Sequence, residues 1–334
     1  MNTFGRFFKL SIFGESHGDC VGITLDGCPP GIELSELDFE CDLTRRKGLN
    51  IKGTTPRKEE DSFEVLSGIF NGKTTGTPLT LIFKNKDVRS SDYSPDIPRP
   101  GHADFVAFKK FNGFQDYRGG GHFSGRLTAP LVAAGVIAKK IISPVNVTAI
   151  VTEVGGSTKI NEVIEETLSL GDSIGGIVEC VVSGLPIGIG EPFFDSLESL
   201  IAHAVFSIPA IKGIEFGKGF EASRMKGSEF NDPILDESGR TSTNNAGGIN
   251  GGISNGNDIV FRVAVKPPSS IKKEQKTLSL KSGEISTLKI DGRHDACLAL
   301  RVPPVLEAVT ACVLADLVSM VPGNLPWFPA PAPR

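Results

Sequence analysis

Three residues that could do chemistry, Glu15, Ser16 and His17, sit between glycines in the stretch GESHG (14–18). The pattern is G-x-S-x-G, the turn that exposes the nucleophile of many serine hydrolases. That turn needs a strand before it and a helix after it. FFKLSIF (7–13) reads as a strand, but DCVGITLDGCPPG, which follows, reads as another strand and a turn. Little chain precedes residue 14 to supply an oxyanion-hole loop. The hydrolase is therefore the weaker reading. Two others stay open: a glycine-flanked turn whose serine caps backbone amides, and a site of another kind that uses Ser16 and His17.

Four of the five histidines lie in Gly- or Pro-rich polar stretches: GESHG, RPGHAD (99–104), YRGGGHFSGR (117–126) and GRHDAC (292–297). The fifth, His203, reads as a helix or core residue. No H-x-x-x-H or H-E-x-x-H spacing signals a metal. In RGGGHFSGR, three glycines allow successive backbone N–H groups to point at one anion, and a helix start just after adds more. Arg118 and Arg126 flank the segment, and a guanidinium binds phosphate as a two-pronged fork. Without a ligand the same segment is a flexible turn before a core helix. TRRKG supplies Arg45, Arg46 and Lys47, with Lys52 and Arg57 beyond. Alone these form a solvated helix end; with the other arginine loops they form one wall of a pocket for a multiply anionic substrate. NNAGGINGGISNG (244–256) and KPPSSI (266–271) suit a cofactor bearing phosphate and ring carbonyls. Neither is a dinucleotide fingerprint or a Walker loop. In GRHDAC, Asp295 beside Arg293 and His294 stays ionised, as a base or in a structural ion pair.

These loops must be held by ordered elements. The chain has 334 residues, 39% of them hydrophobic and 22% charged, with a net charge of −4. That is an ordinary soluble composition, and it does not suggest nucleic-acid binding. Six scattered cysteines without a C-x-x-C pair read as buried thiols of a reducing cytoplasm. No secretory h-region is apparent, and the longest apolar stretch, near APLVAAGVIA, is too short to span a bilayer. Helices are expected over 36–46, 103–114, 126–142, 195–206 and 303–320, with capping boxes at Ser35–Asp38 and Asp195–Glu198. Strands are expected over 7–13, 22–27, 77–85, 145–154, 176–184 and 258–267. Strands often follow strands, so the class is α+β with antiparallel sheet. Residues 1–321 read as a single large domain, and 322–334 as a Pro-rich, disordered tail.

GESHG, RRKG, RPGHAD, YRGGGHFSGRLTA, NNAGGINGGISNG, KPPSSI and GRHDAC, in this order, resemble the signature blocks of the chorismate synthase family. The resemblance runs from about Phe4 to about Ala315. It implies a β-α-β sandwich with helices between two antiparallel sheets, assembled as a homotetramer. It implies a carbon–oxygen lyase of the shikimate pathway: 5-enolpyruvylshikimate 3-phosphate loses phosphate and a C6 hydrogen by anti-1,4 elimination, giving chorismate. Reduced FMN is required without net redox, and NADPH or an external flavin reductase would supply the electrons. Carried over by motif, His17 resembles the acid near flavin N1, and His102 the acid that assists phosphate departure. Asp295 with Ser16 resembles the proton relay at flavin N5. Arg45, Arg46, Lys52, Arg126 and Arg293 would hold substrate or nicotinamide-donor anions. Flavin would contact His122, Phe123, Ser124, Pro209, Ala210, Gly251, Lys266, Pro267, Pro268, Ser269, Ser270 and Arg293. Three positions depart from the family pattern: Ala296 for proline, which would loosen its turn, Pro268 for threonine, and Lys52 for arginine.

Overall fold

The computed structural model describes residues 2–48, 51–55, 59–87, 93–290 and 294–320. Arg57, Arg293 and the Pro-rich tail lie outside the described residues. The N-terminal part contains β1 (Thr3–Phe4), β2 (Lys9–Gly14), β3 (Cys20–Asp26), α1 (Glu36–Lys47), β4 (Glu64–Ser67), β5 (Ile69–Phe70), β6 (Lys73–Thr74) and β7 (Leu79–Lys84). Next come α2 (Asp104–Lys110), α3 (Thr128–Ile141), β8 (Asn146–Val154), α4 (Ile160–Ser169), β9 (Gly176–Ser183), α5 (Leu197–Val205), β10 (Ile211–Phe216) and α6 (Gly227–Phe230). Then follow β11 (Ile249–Asn250), β12 (Ile253–Ser254), β13 (Ile259–Val265), β14 (Gln275–Leu278), β15 (Ile285–Leu288) and α7 (Val302–Ser319).

Two antiparallel sheets form the outer layers, ordered β1-β2-β3-β7-β4 and β10-β13-β9-β8. Their strands alternate: Leu79, Leu81 and Phe83 are buried on β7, and Ile259, Phe261, Val263 and Val265 on β13. Each sheet thus needs one apolar partner layer. Helix α3 rests on β2, β3 and β7, α7 rests on β8 and β9, and the two helices pack on each other. Gly135 makes their close approach possible, since a Cβ there would lie 2.2 Å from the Ala308 Cβ. All of α3 is buried except Lys139 and Lys140, and all of α7 except Ser319. The architecture is therefore the expected α+β sandwich, with its helices between two antiparallel sheets.

Several expectations need correction. The longest apolar helical run is Leu298–Ser319, not the 129–138 stretch; by length and composition it could cross a membrane, but it is buried inside this fold. Helix α5 is capped by Ser196, whose hydroxyl accepts the Ser199 N–H at 3.1 Å. Asp195 instead accepts both guanidinium arms of Arg6, at 2.6 and 2.7 Å. Helix α4 and the β14–β15 hairpin are absent from the expected elements, although Ile160, Val163, Ile164 and Leu168 give α4 a helical spacing. All six cysteines are free; Cys28, Cys180, Cys297 and Cys312 are buried, but Cys41 is exposed.

Candidate active site

Residues 15–19 close a hairpin. Gly14 pairs with Val21 across β2 and β3, so the strand before GESHG returns antiparallel. A nucleophile elbow would need a helix there, and the hydrolase reading falls. The Asn85 side-chain amide ties the loop shut by donating to the Glu15 and Gly18 carbonyls, at 2.9 and 2.8 Å. The Ser16 N–H donates to the Gly121 carbonyl at 3.1 Å, which docks the loop on the triple-glycine segment.

That segment is a saddle between two imidazoles. Gly119, Gly120 and Gly121 all have positive φ, a region that glycine enters without a Cβ clash. A Cβ on Gly119 would lie 2.5 Å from the His17 ring and 3.0 Å from Ser16 Oγ. One on Gly120 would lie 3.1 Å from the His102 ring. The glycines thus let both rings lie against backbone. Arg118 turns back onto Asp116, at 2.8 and 2.9 Å, and does not line the cavity described next.

The loops surround a cavity of about 860 Å³. Its apolar side is built from Leu10, Ile12, Leu131, Val305 and Val309. The lining also includes His102, His122, Phe123 and Ser124, with Pro209, Ala210 and Lys266. Pro268, Ser269, Ser270, Asp295, Arg46 and Arg126 complete it. Ala210 has a positive φ of 75°, an uncommon conformation for a residue with a side chain. Its carbonyl accepts the Lys266 N–H at 2.9 Å, joining two parts of the lining.

The polar groups have defined partners. His102 Nδ1 lies 2.6 Å from Asp104, and Arg99 donates to the same carboxylate at 2.7 and 2.9 Å. Burial alone would raise the Asp104 carboxyl, but the bonds from Arg99 and His102 outweigh it and hold it well below the usual range. An ionised Asp104 only accepts, so in the 2.6 Å contact Nδ1 is the donor; Arg99 Nη2 also lies 3.0 Å from Nδ1, and the opposite edge of the ring lies against Gly120. His122 Nδ1 donates to the Gly14 carbonyl at 2.8 Å. Lys266 Nζ donates to Ser269 Oγ at 2.9 Å, and burial lowers its pKa. Asp295 accepts the Thr55 N–H at 2.9 Å and an Arg301 N–H at 3.1 Å.

Other expected residues lie elsewhere. Ser16 and His17 are buried behind Gly119, and Ser16 Oγ has no hydrogen-bond partner among the described residues. Arg45 is bidentate on Glu307, at 2.8 and 2.7 Å. Lys52 makes an exposed ion pair with Glu165 at 2.5 Å. Gly251 lies between the strands of the β11–β12 hairpin, and neither it nor Pro267 lines the cavity. The Ala296 turn is pinned, not loosened: its N–H donates to the Gly53 carbonyl at 2.8 Å, a bond proline could not make. His203 lies on α5, as the helix reading expected, but lines the cavity, with its ring edge-on to Phe4 at 5.6 Å, and is not in the core. Sequence reading missed Arg99, Asp61 and Arg301. Arg99 and Asp104 stood inside RPGHAD and were legible there; Asp61, in KEEDSF, carried no pattern.

Comparison with known proteins decides the family. The family model described as chorismate synthase matches residues 8–319. The chain belongs to the chorismate synthase family. It is 63% identical over 321 residues to a chorismate synthase of Chitinophaga pinensis, covering 95% of this chain and 96% of that one. It is 45% identical over 349 residues to one from Dehalococcoides mccartyi, with 95% and 96% covered. A crystal structure of a chorismate synthase superposes with a TM-score of 0.72 at 27% identity, covering 94% of this chain and 92% of that one. The activity is accordingly the chorismate synthase reaction, catalysed by a carbon–oxygen lyase.

Proposed function

We propose that the 860 Å³ cavity holds reduced FMN and 5-enolpyruvylshikimate 3-phosphate together, and that His102 is the acid for phosphate departure. One observation carries this reading. A single cavity brings an Asp104-oriented imidazole together with Arg46 and Arg126, two of the four arginines among its described lining residues, and with Lys266, Ser269 and Ser270. The residues suit a flavin: an apolar side for the ring, Lys266, Ser269 and Ser270 for polar groups, and glycine backbone for close approach. When bound, reduced flavin supplies transient electron density to the substrate with no net redox.

The chain's residues do the rest. Arg46 and Arg126 offset the charge of a substrate bearing a phosphate and two carboxylates. His102 Nε2 delivers a proton to the phosphate oxygen as the C3–O bond breaks. Asp104 holds the ring's other nitrogen and balances its charge. Asp295, on the cavity lining, holds and moves the proton lost from C6, while Ser16 and His17, buried behind Gly119, support the glycine segment from outside the cavity. His122, Phe123, Ser124, Pro209 and Ala210 form the cofactor wall. The same reading carries a cytoplasmic homotetramer, for which the exposed Phe193, Phe194 and Phe220 offer apolar contact surface. NADPH or an external reductase supplies the electrons.

Anaerobic titration with reduced FMN tests the reading. Lys266→Ala weakens FMN binding by about threefold or more. His102→Ala leaves it nearly unchanged but lowers turnover by about tenfold or more. Near-wild-type turnover in His102→Ala contradicts the assignment.

A further inference from the structure

Arg46 and Arg126 line the cavity, but the group that holds them does not. Asp61 has a side chain that is 0% exposed, and both arginines converge on its carboxylate. One oxygen takes Arg126, and the other takes Arg46 through Nε at 3.1 Å and through Nη2. The remaining bonds fix the two forks. Arg46 Nη1 donates to Thr128 Oγ1 at 3.2 Å. Arg126 donates to Asn85 Oδ1 at 3.0 Å and to the Lys84 carbonyl at 3.2 Å. Each guanidinium therefore spends N–H groups from all three nitrogens on the protein and turns the remaining ones elsewhere. Asp61 itself has a φ of 54°, an uncommon conformation for a residue with a side chain. Burial would raise its pKa, but the charges and hydrogen bonds of Arg46 and Arg126 outweigh that and hold it below the ordinary range.

We propose that Asp61 is the positioning residue of the anion site: it aims the Arg46 and Arg126 guanidiniums at the cavity and cancels one of their two charges. This rests on reading those arginines as ligands of the substrate's anionic groups. Two bare buried cations side by side would repel each other and would bind any anion strongly, including the phosphate the reaction releases. With Asp61 between them the pair presents a fixed geometry and a single net positive charge. A substrate that fits both forks then gains over free phosphate, and phosphate can leave.

The test uses full-length enzyme with reduced FMN under anaerobic conditions and inorganic phosphate as inhibitor. Asp61→Asn keeps the size and removes the charge. It is expected to lower kcat by about tenfold or more through lost orientation, and to lower the phosphate inhibition constant by about threefold or more through the uncancelled charge. A merely structural aspartate would not tighten phosphate inhibition. A folded Asp61→Asn with an inhibition constant equal to or weaker than wild type overturns the proposal. If that variant does not fold, Asp61→Glu keeps the charge and displaces it. It should leave phosphate inhibition within about twofold and lower kcat by about threefold or more; wild-type kcat overturns the positioning role. Arg126→Gln separates the two layers of argument. If it leaves substrate KM unchanged, the reading of the arginine pair fails. If it raises KM but Asp61→Asn does not tighten phosphate, only the role of Asp61 fails.

Discussion

The two nitrogens of His102 have different neighbours, and the difference sets its chemistry. Nδ1 meets Asp104 at 2.6 Å, within a cluster that also holds Arg99. Asp104→Asn removes the anion that fixes the tautomer and balances a protonated ring. It should lower kcat by about tenfold or more while FMN affinity holds; unchanged kcat would remove Asp104 from the acid's support. Ser16 poses a sharper contrast. Its hydroxyl is buried and lacks a partner among the described residues, yet it sits in a hairpin, not an elbow. Ser16→Ala should therefore retain part of the turnover, whereas complete loss would revive a nucleophilic role. At this scale the histidines were legible because glycine and proline punctuate their loops. Asp61 was not, because its meaning arises only when α1 and the turn just before α3 bring two arginines to it.

Among the elements, the triple-glycine segment and helix α7 show why pattern alone reads one better than the other. An apolar run from Val302 to Val318 declares a buried helix. It does not declare what its polar residues do: Glu307 accepts Arg45, Lys139 and the Ala149 N–H, and Asp316 accepts the N–H groups of residues 6–8. Those partners lie far away in sequence. The α5 cap was misread by one residue because Asp195 and Ser196 both suit a helix start, and only the Arg6 pair chose between them. Packing yields a stability test. Gly135→Val forces side-chain atoms into the Ala308 backbone and should cost about 2 kcal/mol or more, measured by denaturant unfolding; a loss under about 0.5 kcal/mol would show that the α3–α7 crossing yields easily.

Across the whole molecule, buried Asp61 and Glu307 tie separate layers together, and half-buried Asp104 joins Arg99 to His102. Asp61, Asp104 and Glu307 each have pKa values below their ordinary 3.8, 3.8 and 4.5. The folded state then binds fewer protons than the unfolded state in acid. Their stabilisation is complete above about pH 5 and drains away as pH falls through the depressed values. The thermal midpoint should drop steeply below about pH 4; a midpoint that rises on acidification would contradict these ion pairs. The α+β class with antiparallel sheet was legible from strand-after-strand order and two apolar helices, whereas the sandwich was implied only by the family resemblance. The cavity between its loops was not, since it joins segments from Asn2 to Cys312.

The most direct measurement mixes the purified chain anaerobically with 5-enolpyruvylshikimate 3-phosphate and chemically reduced FMN, and follows inorganic phosphate and chorismate absorbance together. Phosphate and chorismate should form in equal amounts, with the flavin still reduced at the end, and His102→Ala should slow both by the same factor. Folded protein that releases no phosphate, or releases it without chorismate, would contradict the account.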